Sequence, residues 1–133
     1  MTNKLELYKC NICGNIVEVL VSGVGELVCC GEAMKLITPK NSDDDKALTE
    51  KHTPVIEIVD DNKYKISVEN HPMENEHYIM FIESISPDNK EVKIKYLHPG
   101  DSAVMTDYSE YKDKYARSYC NIHGLYVSNN KGE

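Results

Sequence analysis

The sequence predicts a mainly β chain in two parts: a small metal-binding unit, then an immunoglobulin-like antiparallel β-sandwich. Three observations carry this. The metal-ligating residue types are segregated: Cys10, Cys13, Cys29 and Cys30 lie in the first 30 residues, whereas His52, His71, His77, His98, His123 and Cys120 all follow residue 50. From Val55 onward, short β-type runs recur at near-regular spacing with turn signals between them. Helix signals are poor throughout.

The elements follow in order. Residues 1–37 read as one compact unit, in which Leu5 to Tyr8 and Ile16 to Val21 are strand-like, Gly23 to Gly25 is a hairpin signal, and Leu27-Val28 leads into Cys29-Cys30-Gly31. A unit this small buries little core and needs a staple such as a metal. Residues 38–47 are polar, charged and Pro-containing, and read as a linker. Residues 48–133 form the sandwich. Val55 to Val59 is one run; Tyr64, Ile66 and Val68 alternate with polar residues in the next. Tyr78 to Ile82 is apolar on both faces, and Val92, Ile94 and Tyr96 alternate with Glu91, Lys93 and Lys95. Tyr108, Tyr111, Tyr115 and Tyr119 are expected to pack or to line the sandwich edge.

Composition narrows the function. The 133 residues are 41% hydrophobic and 28% charged, which suits a packed soluble domain. A net charge of −7 argues against nucleic acid and against an anionic membrane surface as partners. No stretch approaches the roughly 18 apolar residues of a membrane span, and no secretory signal is visible, so a cytoplasmic location is expected.

Five cysteines cannot all pair within one chain, and a cytosolic thiol pool is reducing, so metal binding is favoured over disulfides. The first set is C-x2-C, fifteen residues, then C-C. Four thiolates make a soft tetrahedral set that suits zinc or iron. Adjacent cysteines cannot both adopt knuckle geometry, so a distorted tetrahedron is expected. The second set is His52, His71, His77, Cys120 and His123, with Cys120-Asn-Ile-His123-Gly124 forming a C-x2-H knuckle. Four imidazoles and one thiolate exceed the four ligands zinc prefers and fit a five-coordinate transition metal with one open position.

At these residues the chain resembles the desulfoferrodoxins, the two-centre form of superoxide reductase. The resemblance spans the chain. It rests on the C-x2-C-x15-C-C pattern, on Glu50-Lys51-His52-Thr53-Pro54, and on His71-Pro72-Met73 through Glu76-His77-Tyr78-Ile79. Leu97 to Asp101 and Cys120 to Leu125 complete it. It implies a desulforedoxin-like first unit with an iron held by its four cysteines, and a second iron held by His52, His71, His77, His123 and Cys120. It further implies one-electron reduction of superoxide to hydrogen peroxide, with Lys51 attracting the anion and Glu50 closing on the oxidised iron. A homodimer and a rubredoxin-like electron donor belong to the same picture. The alternative is a non-enzymatic iron electron-transfer protein; a zinc-stabilised module is a third reading. Two departures stand out. The chain has no tryptophan, Phe81 and Tyr126 standing where many relatives carry one. His98 matches no ligand position and reads as a surface histidine.

Overall fold

The computed structural model describes residues 1–40, 49 and 51–128. The chain divides into two compact units, Met1–Thr38 and Pro39–Glu133.

The first unit is built from β1 (Leu7–Lys9), β2 (Ile16–Glu18), β3 (Val28–Cys29), β4 (Glu32–Ala33) and β5 (Lys35–Ile37). β1 is central in an antiparallel sheet of order β2-β1-β5, and β3 pairs only with β4. Two expectations need correction. Leu5 is not in a strand: its φ of 73° turns the chain before β1. Gly23 to Gly25 joins no hairpin, because β2 pairs with β1 rather than with the segment beyond the glycines. Instead Thr2 and Gly23 exchange hydrogen bonds, Thr2 N to Gly23 O at 3.1 Å and Gly23 N to Thr2 Oγ1 at 3.1 Å. The buried apolar side chains of this unit are few: Leu5, Leu7, Cys10 and Val19.

The described residues of the second unit form seven strands: β6 (Val55–Asp60), β7 (Lys63–Ser67), β8 (Ile79–Ile85), β9 (Val92–Tyr96), β10 (Val104–Tyr108), β11 (Tyr115–Cys120) and β12 (Gly124–Val127). They form two antiparallel sheets, β10-β7-β6 and β12-β11-β8-β9. This is the immunoglobulin-like sandwich that the spaced β-runs predict. Ile66 and Met105 from one sheet meet Ile79, Ile82, Ala116 and Cys120 from the other in a single core. Cys120 is thus both the end of a core strand and a wall of the site.

β9 reverses the usual alternation. Val92, Ile94 and Tyr96 are exposed, while Lys93 and Lys95 reach the neighbouring sheet's edge strand. Lys93 Nζ donates to Thr106 O at 2.8 Å and Lys95 Nζ to Val104 O at 3.0 Å, which occupies carbonyls of β10 that no third strand among the described residues pairs with.

Buried charges are matched in pairs. Glu83 and Arg117 are cross-strand partners on β8 and β11, with Arg117 Nη2 at 2.6 Å from Glu83 Oε1. Asp107 accepts from Ser84 Oγ at 2.6 Å and lies 3.2 Å from Lys114 Nζ.

Most of the stretch read as a linker lies outside the described residues. Lys40 is described, and its amide donates to Leu125 O at 2.9 Å in a parallel bridge to Tyr126. Of the four tyrosines, Tyr119 is buried against Phe81, ring centroids 5.7 Å apart, whereas Tyr108 is exposed.

Candidate metal centres

The first cluster is assembled by two tight turns. Gly14, at φ +86°, closes a knuckle in which Gly14 N donates to Cys10 O at 3.0 Å and Cys13 N to Cys10 Sγ at 3.4 Å. The facing turn is Cys29-Cys30-Gly31-Glu32, with Cys29 paired to Glu32. Both central residues have positive φ, Cys30 at 56° and Gly31 at 77°, as a two-residue type I′ hairpin requires. This turn is what makes adjacent cysteines usable: Cys29 ends the strand, and the left-handed step at Cys30 returns the next sulfur towards the same point.

The four sulfurs lie within 4.8 Å of one another. Cys13 Sγ is 3.5 Å from Cys29 Sγ, and Cys29 Sγ is 3.9 Å from Cys30 Sγ. Metal–sulfur bonds of about 2.3 Å at tetrahedral angles place sulfurs about 3.8 Å apart, so the set fits one ion. All five cysteines of the chain are free. Amide hydrogen bonds, from Cys13 foremost, hold the Cys10 thiol down to about 6, while the sulfurs of Cys13, Cys10 and Cys29 push Cys30 up to about 12. The Cys10 thiolate forms easily, while Cys29 and Cys30 resist ionising beside the other sulfurs; a cation removes that conflict.

The second cluster draws on four segments. Thr53 donates its amide at 2.9 Å and its hydroxyl at 2.6 Å to Thr49 O, closing one helical turn that carries Lys51 and His52. Ser118 Oγ donates to His52 O at 2.8 Å, and Tyr126 stacks on the His52 ring at 4.7 Å and 19°. His71 precedes Pro72, whose carbonyl lies 2.7 Å from His71 Nδ1. A carbonyl only accepts, so Nδ1 carries the proton and Nε2 is the bare lone pair. His77 closes a tight turn, exchanging backbone hydrogen bonds with Glu74 at 3.0 and 3.1 Å. Cys120 and His123 belong to a second knuckle, with His123 N donating to Cys120 Sγ at 3.4 Å and Gly124 at φ +92°. The two knuckles share one design. The register between β11 and β8 shifts here: Tyr119 faces Phe81 and Cys120 faces Ile79, so the extra residue, Met80, lies on β8 and the ladder ends beside Cys120.

The four imidazoles form a square. Ring centroids are 4.5 Å apart for His52–His71, 4.6 Å for His71–His77, 5.1 Å for His77–His123 and 4.8 Å for His123–His52. The His52–His77 diagonal is 6.2 Å. Neighbouring rings meet edge to face, at 63° to 75°. His123 Nδ1 lies 3.2 Å from His52 Nε2 and 3.8 Å from Cys120 Sγ. Ligands at right angles on a metal, with bonds of about 2.1 Å, place nitrogens about 3.0 Å apart.

Two observations mark the square as a cation site. His71 Nε2 and His77 Nε2 are buried with no hydrogen-bond partner among the described residues, an arrangement that costs free energy unless another group takes the lone pairs. Burial also holds the His71 imidazole below the usual histidine range, favouring the neutral form that ligates. The donor atoms of His52, His77, Cys120 and His123 lie within 4.8 Å of one another, and His71 completes the ring through its contacts with His52 and His77.

The structure brings the nine residues expected as ligands together in the two groups that the sequence reading gives them. Lys51 is exposed in the turn beside His52; Glu50 lies outside the described residues. His98 is exposed beside Asp101 and has no place in the square. The sequence reading missed Ser118 and assigned no role to the side chain of Asn121. Ser118 shares the inward face of β11 with Ala116 and Cys120, and this run of small residues at alternate positions is the one signal that marked it.

Comparison with known proteins agrees with this geometry. The desulfoferrodoxin N-terminal domain model matches residues 2–37, and the desulfoferrodoxin model matches residues 44–129. The chain is 50% identical to a desulfoferrodoxin of Nitratidesulfovibrio vulgaris, over 93% of this chain and 95% of that one. Among solved structures, the superoxide reductase from Treponema pallidum shares the fold at a TM-score of 0.69 with 21% identity, over 97% of this chain and 100% of that one. The superoxide reductase (neelaredoxin) from Ignicoccus hospitalis is 28% identical at a TM-score of 0.51, over 67% of this chain and 83% of that one. With a family model on each unit, half the aligned residues shared with a relative of matching length, and both ligand sets assembled, the chain belongs to the desulfoferrodoxin family, which binds two irons.

Proposed function

We propose that this chain is a superoxide reductase, carrying out O2•− + e− + 2H+ → H2O2 at the centre bounded by His52, His71, His77, His123 and Cys120. The observation that carries the reading is the square of four imidazoles with a buried cysteine sulfur beside it. Five donors would leave a sixth position on the ion open to a small molecule. Iron bound there supplies the single electron and that open position. The solved relatives named as superoxide reductases support the same reaction.

The residues of the chain divide the remaining work. The imidazoles hold the ion with neutral donors, and Cys120 contributes the one anionic ligand, which favours giving up an electron. Lys51 is exposed in the turn that ends at His52 and supplies a local positive charge against the overall −7. Its ammonium draws the anion in and hydrogen-bonds the product. Glu50 would supply a carboxylate ligand to the oxidised iron. The four-cysteine unit holds the other iron, a rubredoxin-like protein returns the electron, and two copies of the chain form a homodimer.

The test is the hydrogen peroxide yield when anaerobically reduced protein meets a limiting pulse of superoxide. One peroxide per superoxide is the expected result. One per two, with oxygen released, overturns the reading in favour of dismutation or an inert redox protein. Lys51→Ala is expected to slow superoxide capture at low ionic strength while leaving both irons bound.

A further inference from the structure

Asn121 sits inside the Cys120–His123 knuckle, and apart from a long contact of its Oδ1 with Cys120 Sγ at 4.0 Å its amide and carboxamide reach outside that turn. Its amide donates to Tyr78 O at 3.2 Å. Its side-chain Oδ1 accepts from Tyr78 N at 2.9 Å, and its Nδ2 donates to Glu76 O at 3.0 Å. Both partners flank His77. The carboxamide thus spans the peptide groups on either side of one ligand from a position one residue past another ligand.

The geometry needs such a clamp. His77 is held by a two-residue turn closed on Glu74, with no strand on its N-terminal side. β8 begins only at Ile79, and the ladder to β11 ends at the irregular Cys120–Ile79 pair. The sheet therefore stops short of His77, and the Asn121 carboxamide continues its hydrogen bonding across the bulge. Only an amide side chain offers a donor and an acceptor at this spacing. Leucine has neither, and aspartate presents a second oxygen to the Glu76 carbonyl.

Resting on the metal-site reading above, we infer that Asn121 is a positioning residue: its carboxamide fixes the His77 loop against the Cys120–His123 knuckle, so that His77 Nε2 completes the imidazole square.

The four-cysteine centre provides an internal reference within the same chain. Wild type, Asn121→Ala and Asn121→Asp are loaded anaerobically with ferrous iron, oxidised, and challenged with a competing chelator. Iron per chain, the ferric–thiolate absorption of the Cys120 centre and its electron paramagnetic resonance are followed. Both variants are expected to keep the spectrum of the four-cysteine centre, to show an altered resonance at the second centre, and to lose that iron to chelator with about 10–100-fold weaker affinity. If Asn121→Ala does not accumulate folded, Asn121→Asp decides, because it keeps the Tyr78 contact and removes only the Glu76 one. Unchanged affinity and resonance in the deciding variant overturn the inference, as does equal loosening of both centres. A wild-type chain that takes up only the four-cysteine iron overturns the metal-site reading itself, and the inference with it.

Discussion

The hydroxyl of Ser118, wholly buried on β11, donates to the main-chain carbonyl of His52 at 2.8 Å. It ties the turn that carries one ligand to the strand that ends in another, Cys120. Ser118→Ala removes a donor from a buried carbonyl, which costs about 1–3 kcal/mol of stability. Denaturant unfolding of the iron-loaded chain measures that loss, and chelator competition is expected to show faster release from the histidine centre than from the four-cysteine centre.

Glu83 and Arg117 form a buried pair in the same sheet, two residues along β11 from Tyr119. Arg117→Met deprives a buried carboxylate of this guanidinium and is expected to cost about 3–5 kcal/mol. The double change Glu83→Leu with Arg117→Met removes both charges and recovers most of that loss. A double-mutant cycle in urea checks this; equal losses in the single and double variants would sink the argument.

At Gly31 the backbone has φ +77°, and a Cβ placed there meets nothing within 4 Å. The cost of Gly31→Ala is therefore conformational, about 1 kcal/mol, with no clash added. Gly31→Asn is expected to cost less, since asparagine tolerates the left-handed region. Thermal bleaching of the four-cysteine iron absorption ranks the three chains: glycine, then asparagine, then alanine.

Metal removal separates the two units. The first buries only Leu5, Leu7, Cys10 and Val19 as apolar side chains, too little to stand without its staple. The sandwich has its own core of Ile66, Ile79, Ile82, Met105 and neighbours. After chelation, amide exchange in Met1–Thr38 is expected to become fast, while β7, β8 and β11 stay protected. Retained protection in β1 would show that the cysteine unit folds without metal.

Both ligand sets were legible in the sequence, because ligand chemistry is carried by residue type and a knuckle is a local turn. Cys10, Cys13 and Gly14, or Cys120, His123 and Gly124, need no distant partner to be recognised. The β-sandwich was legible as far as Tyr96, where alternation is plain. It faded beyond Val104, because β10 and β11 carry Asp107, Arg117 and Ser118 in buried positions and their pattern no longer separates inside from outside. Only the tertiary structure decided which way β9 faces, since its lysines are satisfied by carbonyls of a strand in the other sheet. Only it decided that His52, His71, His77 and His123 stand at the corners of one square, and that Ser118, Tyr126 and Asn121 hold them there. Those relationships are made by hydrogen bonds and ring contacts between residues far apart in the chain, His52 and Tyr126 most of all. Distance along the chain hides such contacts, and only folding brings them together.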